Sequence, residues 1–225
     1  MSNEFFFLIQ FLLCIGFLLV SASFGKRALT VLVALSAVFA NLFILKQIDL
    51  FWFTLTCSDL FAVTSMLALG FIQEYFGKGA ALHAMKISFL ALLFFTLGGQ
   101  IHLLYTPAAV DRAHGAFETI LSSNVRIVFS SLSVYYLMQR LEIFLFSKLR
   151  DRFAGKFFAF RVIFSLFVTQ GLDTLLFSFF ALYGVISPLL DVMLVSFFIK
   201  CIIIGFGAPI AAFSRRFITI QKEAG

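Results

Sequence analysis

Charge is scarce in this chain. Only 12% of its 225 residues are Asp, Glu, Lys or Arg, while 62% are hydrophobic, and mean hydropathy is +1.06. A soluble domain is about a quarter charged. This chain therefore has too little polar surface to cover a water-facing globule, which leaves an integral membrane protein. Proline is scarce too. Three residues interrupt 225, so long helices are allowed. No Ser/Gly/Pro-rich linker or block of like charge divides the chain, and residues 1–225 are read as one integral membrane domain. Cys14, Cys57 and Cys201 are far apart inside apolar segments and form no CxxC or Cys/His ligand spacing. They are read as structural thiols, and no metal is expected. GxxxxGK(S/T), HExxH and GxSxG are all missing, so the chain hydrolyses no ATP itself and no cofactor is expected.

What is present is a series of long apolar runs. At 1.5 Å per residue, about 20 residues cross the hydrocarbon core. Seven candidates run over 4–23, 28–46, 53–75, 87–106, 119–146, 157–184 and 190–213. The first ends in small residues, "VSAS", like a signal peptide. It begins with Glu4 and no base, whereas a signal peptide starts positively charged, so it is read as a span. The fold class expected is all-α, a polytopic transmembrane helix bundle.

The net charge of +6 is not a nucleic-acid signature, because the bases sort by loop. Lys26 and Arg27 fall in the first loop, Lys78 and Lys86 in the third, and Lys148, Arg150, Arg152 and Lys156 in the fifth. Arg215, Arg216 and Lys222 fall in the tail. These are eleven of 17 bases. The alternate loops hold Lys46 and Arg112, and the 185–189 turn holds none. The positive-inside rule then makes the first set cytoplasmic, with the N-terminus outside and the C-terminus inside.

Polar residues inside the spans fall in one layer, in the outer half. Asn41 is on the second span, Asp59 on the third, Gln100 and His102 on the fourth, Arg126 on the fifth, Asp173 on the sixth and Lys200 on the seventh. A charge at a helix centre costs roughly 2.5–3.5 kcal/mol on insertion scales, and such residues by default mark a site or pathway. Two acids and two bases should point inward, to pair or to line a wet cavity. The plainer alternative is a set of structural ion pairs. A second polar group lies toward the cytoplasm: Gln73, Glu74 and Tyr75, with Gln139, Arg140 and Glu142. Tyr135, Gln139 and Glu142 share one helical face. Gln73, Glu74, Gln139 and Glu142 are read as an inner gate, with solvated helix ends as the alternative. Lys46 and Arg161 stand near span ends and are expected to snorkel to water.

The motifs "TCSDLFAV", "QEYFGKGAA", the fifth span's R…Q..E…FSKLR pattern, "QGLDTLLFSFF" and the late intramembrane Lys200 resemble those of the YhhQ-type queuosine precursor transporters, also called the vitamin uptake transporter family. The resemblance covers about 28–213. It implies a six-helix core, to which span 4–23 is additional, and import of a 7-deazaguanine such as preQ0, preQ1 or queuine. It points to Asn41, Asp59, Arg126, Gln139, Asp173 and Lys200. The stretch from Asp59 to "EYFG" is longer than in the YhhQ-like members, and Glu74 stands where they carry a base.

The chemistry is compatible with such a substrate. A 7-deazaguanine edge presents two donors, which Asp59 or Asp173 could accept in a bidentate contact. Asn41, Gln100, Arg126 or Lys200 could donate to its carbonyl oxygen, and Trp52, Phe51, Phe53 and Tyr105 offer ring faces at the outer mouth. Other small heterocycles would fit as well. The sequence is compatible with a carrier acting alone, with proton coupling through Asp59 or Asp173 as a variant, with a substrate-binding subunit needing an energising ATPase module, and with a homodimer. An aspartyl dyad of Asp59 and Asp173 is disfavoured, since Arg126 and Lys200 at the same depth would keep both acids ionised.

Overall fold

The computed structural model describes residues 2–51, 53–121, 125–183 and 189–214. Its helices are α1 (Asn3–Phe24), α2 (Lys26–Leu42), α3 (Asp59–His102), α4 (His114–Leu121), α5 (Val125–Arg152), α6 (Phe158–Phe177) and α7 (Leu189–Ser214). A π-helical turn, Ser178–Leu182, follows α6 directly. Four described helices are long and apolar enough to cross a membrane: α1, α3, α6 with its π turn, and α7. The tail bases Arg215, Arg216 and Lys222, and residues 185–188 of the last turn, lie outside the described residues.

α3 is two helices, not one. Gly77, at φ 86° and ψ 171°, breaks it into arms 59–76 and 78–102. Ser65 and Gln73 of the first arm meet Gln139 and Ser147 of α5, so that arm runs alongside α5 in the same direction. Ser88 of the second arm meets Tyr135, and Gln100 meets Leu121, so the second arm runs back. The chain therefore reverses at one residue. Gly25, at φ 92° and ψ −166°, joins α1 to α2 in the same way. This backbone region is essentially open to glycine alone. With the arms counted separately and α4 set aside, seven helical segments correspond in order to the seven apolar runs.

Several boundaries differ from expectation. The loop expected between 75 and 87 shrinks to Gly77, because glycine can make the reversal alone. α5 continues through "SKLRDR" to Arg152, so the basic loop is only 153–157, while 119–121 belong to α4. The expected second span stops at Leu42, and the third begins at Asp59 rather than at 53. Between them lies an antiparallel hairpin, β1 (Gln47–Leu50) and β2 (Phe53–Thr56), pairing Gln47 with Thr56 and Leu50 with Phe53. Its Leu50 and Leu55 are buried. α1 holds it from the side: Asn3 donates to the Asp49 carbonyl at 2.8 Å, and the Phe51 amide donates to Glu4 at 2.8 Å.

The first arm of α3 is central, with nearly every residue from 59 to 73 buried. α2 lays Leu29, Val33, Ser36 and Ala37 toward the interior at i, i+4, i+7 and i+8, one helical face. Small Ser36 and Ala37 allow close helix approach, and Ser65 bonds the Val33 carbonyl at 3.2 Å. Outside, large side chains such as Phe17, Phe94, Phe198 and Phe206 are exposed. In water this would be a fault; against lipid it is the expected surface.

Candidate functional site

Three helices converge at the hairpin end of the bundle. α3 begins there and carries Asp59 in its first turn, where a negative charge complements the helix dipole. α6 brings Asp173 and Thr174 to the same level, just before its π turn; such turns occur often at functional sites. α7 brings Ser196 and Lys200, one helical turn apart. The Lys200 ammonium donates to Asp173 Oδ2 at 2.9 Å and to Thr174 Oγ1 at 3.2 Å, and stands 3.7 Å from Asp59 Oδ1. Ser196 Oγ lies 3.1 Å from each Asp59 oxygen. One base thus sits between two acids contributed by other helices.

The acids differ in exposure. Asp59's side chain is 5% exposed and is occupied by Ser196 and Lys200, whereas Asp173's is 21% exposed. Asp173 therefore presents its free edge to a cavity of about 190 Å³. A cavity of about 150 Å³ is enough to take up benzene, so this one has the scale of a small ring compound. Its walls combine Asn41, Ser58, Ser131, Tyr135, Phe177 and the Asp59–Lys200–Asp173 group. Asn41 accepts from Ser131 Oγ at 2.6 Å and donates to the Ala37 carbonyl at 3.1 Å.

Asn41, Asp59, Asp173 and Lys200 thus come together in one cavity. Gln100 does not join them. It is exposed, donates to the Leu121 carbonyl at 2.7 Å, and lines a smaller cleft that shares Asn41 and Ser131 with the main cavity. His102 is exposed and packs edge-on against Tyr105 and Phe117. Trp52 lies outside the described residues, as does the side chain of Arg126, whose backbone is on α5. The aromatic walls are Tyr135 and Phe177, not Phe51, Phe53 or Tyr105, which are exposed. Ser131, Thr174 and Ser196 escaped the sequence reading. Two of them carried a signal: Ser196 is one turn from Lys200, and Thr174 adjoins Asp173.

Below the cavity, toward the Gly77 end, lies the second polar group. Tyr135 donates to Ser88 at 2.9 Å and accepts from Gln139 Nε2 at 2.7 Å. Gln139 also donates to Ser65 at 3.1 Å. Glu142, one turn further on, accepts from Ser165 Oγ at 2.6 Å and Thr169 Oγ1 at 2.9 Å, both on α6. Gln73 donates to the Ile143 carbonyl at 2.8 Å and to Ser147 at 2.7 Å. Glu74 is gripped through both oxygens by Arg161, each contact 3.0 Å. Phe71 and Phe146 pack edge-on against Phe158, and Arg161 stacks over Phe146 and Phe158. Gln73, Gln139 and Glu142 are each at most 2% exposed, so the solvated-end alternative does not hold for them.

Arg161 corrects one expectation. It does not snorkel; it is completely buried. Besides Glu74, it donates to the Lys156 carbonyl at 2.9 Å and the Gly155 carbonyl at 3.1 Å. Those carbonyls lie at the start of α6, so the side chain turns back into protein and finds acceptors there. Lys46, by contrast, is exposed.

This chain matches the family described as "Putative vitamin uptake transporter" over residues 56–213. It is also similar to a Bacillus subtilis (strain 168) protein named "Probable queuosine precursor transporter". The two are 31% identical over 182 residues, covering 80% of this chain and 78% of that protein. No solved structure matches it. The family match makes it a multi-pass membrane transporter rather than an enzyme, and the helices long enough to span agree with that membrane setting. The chain belongs to the vitamin uptake transporter family.

Proposed function

We propose that the chain imports a queuosine precursor, a 7-deazaguanine such as queuine, preQ1 or preQ0, through the cavity at the hairpin end. One observation carries this reading: Asp173 is held at one edge by Lys200 and open at the other, beside Tyr135, Phe177 and Asn41. The open carboxylate edge accepts the paired N–H donors of the guanine-like face. Lys200 or Asn41 donates to the carbonyl oxygen, and the rings of Tyr135 and Phe177 lie along the heterocycle. Asp59 is a positioning residue that holds Lys200 from the far side. The name of the Bacillus subtilis relative supports the substrate class.

The charge alternation of the loops supports an N-terminus outside and a C-terminus inside, with the cavity toward the outside. The Glu74–Arg161 pair and the Phe71, Phe146 and Phe158 rings then form the inner closure. The test is expression in a bacterial strain that can neither make nor import these precursors. Supplying preQ0, preQ1 and queuine in turn should restore queuosine in tRNA for at least one. Restoration by none would sink the reading.

A further inference from the structure

Glu142 has a setting shared by none of the other buried acids among the described residues. Asp59 and Asp173 have Lys200, and Glu74 has Arg161. Glu142 is 1% exposed, and its partners are two neutral hydroxyls. Among the described residues, the charged groups on the helices packed around it are paired or exposed. On α3, Asp59 and Glu74 are paired, while Lys78, His83 and Lys86 are exposed. On α6, Arg161 and Asp173 are paired, and the π turn carries none. Lys200 of α7 is paired. On α5 itself Arg140 is exposed, and Arg150 donates to the Gln73 carbonyl.

The two hydroxyls each have a second acceptor. Thr169 Oγ1 is 2.9 Å from the Ser165 carbonyl, and Ser165 Oγ is 3.3 Å from the Val162 carbonyl. With Glu142 as carboxylate, both hydroxyls donate to it. With Glu142 as carboxylic acid, a hydroxyl can swing to its own helix carbonyl and accept the acid proton. The site is thus hydrogen-bonded in both states, which a buried group needs if it is to change charge without leaving an unmet donor or acceptor. Its position matters too. It lies between the cavity, through Tyr135 and Gln139, and the inner closure made by Phe146, Phe158 and the Glu74–Arg161 pair.

We propose that Glu142 is a proton-binding site that couples uptake to inward proton movement. The inference rests on the transport reading above and adds its energy source. A proton taken from the outer side neutralises Glu142 while α5 and α6 are closed on it. Opening of the inner end wets the carboxylic acid, which releases that proton to the cytoplasm along with the substrate and returns to carboxylate. One proton binds and one leaves per cycle, and no covalent bond changes.

The test uses the full chain in proteoliposomes with tritiated queuine and tritiated preQ1, the membrane potential clamped at zero. A one-unit pH gradient, acid outside, should drive accumulation up to about tenfold for one proton per substrate, since one pH unit is a factor of ten. A protonophore should abolish it. Glu142→Gln should lose gradient-driven accumulation yet keep measurable exchange of labelled for unlabelled substrate. Glu142→Asp should regain part of the coupling. Wild-type entry that ignores the gradient overturns proton coupling and leaves transport standing, and gradient-driven accumulation that persists in Glu142→Gln overturns Glu142 as the coupling site. So does loss of exchange in both Glu142 variants, which would make the residue structural. Absence of any entry by wild type would instead overturn the transport reading, and this inference with it.

Discussion

Lys200 stands 2.9 Å from Asp173, and the two come from neighbouring helices 27 positions apart in the chain. The same ammonium reaches Asp59 at 3.7 Å. Removing the base leaves the buried Asp59 and its neighbour Asp173 without their shared counter-charge. Lys200→Met should therefore abolish uptake and also lower stability, because an uncompensated buried charge costs about 3–5 kcal/mol. Thermal unfolding in detergent, read beside uptake, checks both effects.

The two acids should separate under mutation. Asp173 offers an open edge, so Asp173→Asn should weaken substrate binding at least about tenfold, as a hydrogen bond to a charged group is worth about 1.5–3 kcal/mol. Asp59 is closed off by Ser196 and Lys200. Asp59→Asn should mainly lower stability, with a smaller change in binding. Equilibrium binding of the labelled precursor to purified protein distinguishes them.

Glu74 and Arg161 form a bidentate pair in a site with almost no solvent access. Removing one partner leaves the other's charge buried without this two-point contact. Glu74→Ala and Arg161→Ala should each lose about 3–5 kcal/mol of stability. The double change Glu74→Leu with Arg161→Met should recover much of that loss, since apolar pairs of similar volume replace such bridges well. Unfolding midpoints of the single and double variants, compared as a cycle, give the answer.

Gly77 tests the reversal. A Cβ there would meet nothing within 4 Å, so space is not the obstacle. The backbone, at φ 86° and ψ 171°, is. Gly77→Ala should destabilise the protein by about 1–3 kcal/mol through conformation alone. Gly79→Ala also has open space and a φ outside the positive region, and should not destabilise it. A shared midpoint for the two variants would show that the turn is not strained.

Tyr135→Phe removes a hydroxyl that links the cavity wall to Gln139 and Ser88. The ring stays, so substrate stacking should survive. The Gln139 amide loses a buried partner, and stability should fall by about 1–3 kcal/mol. Uptake affinity close to wild type with a lowered unfolding midpoint is the expected result.

How much of this was legible in sequence depends on the range of each interaction. The apolar runs appeared in order as helices, because a span is a local property: about 20 apolar residues at 1.5 Å each. Boundaries were weaker. Nothing in "EYFGKGAA" announced that Gly77 alone would turn the chain, since glycine permits that backbone without demanding it. Of the hairpin, the second strand, 53–56, reads as the start of the third run, because Phe53, Leu55 and their neighbours are as apolar as a span, while 47–52 falls in the loop between runs. Depth along each helix brought Asn41, Asp59, Asp173 and Lys200 to one level. It brought Gln100 there too, yet Gln100 points into a different cleft.

Sequence alone determined that the chain lives in a bilayer, crosses it repeatedly, and carries charges that must be shielded within it. Those conclusions follow from composition and from the cost of a lone charge in hydrocarbon. Which charges meet was decided by tertiary structure. Arg161 could have reached water by its position near a span end; it is buried because Glu74, 87 residues earlier, stands opposite it. Glu142 could equally have met a base, but the faces of α5 and α6 set two hydroxyls against it instead. Helix rotation and packing select partners, and neither is written in the spacing of one helix alone.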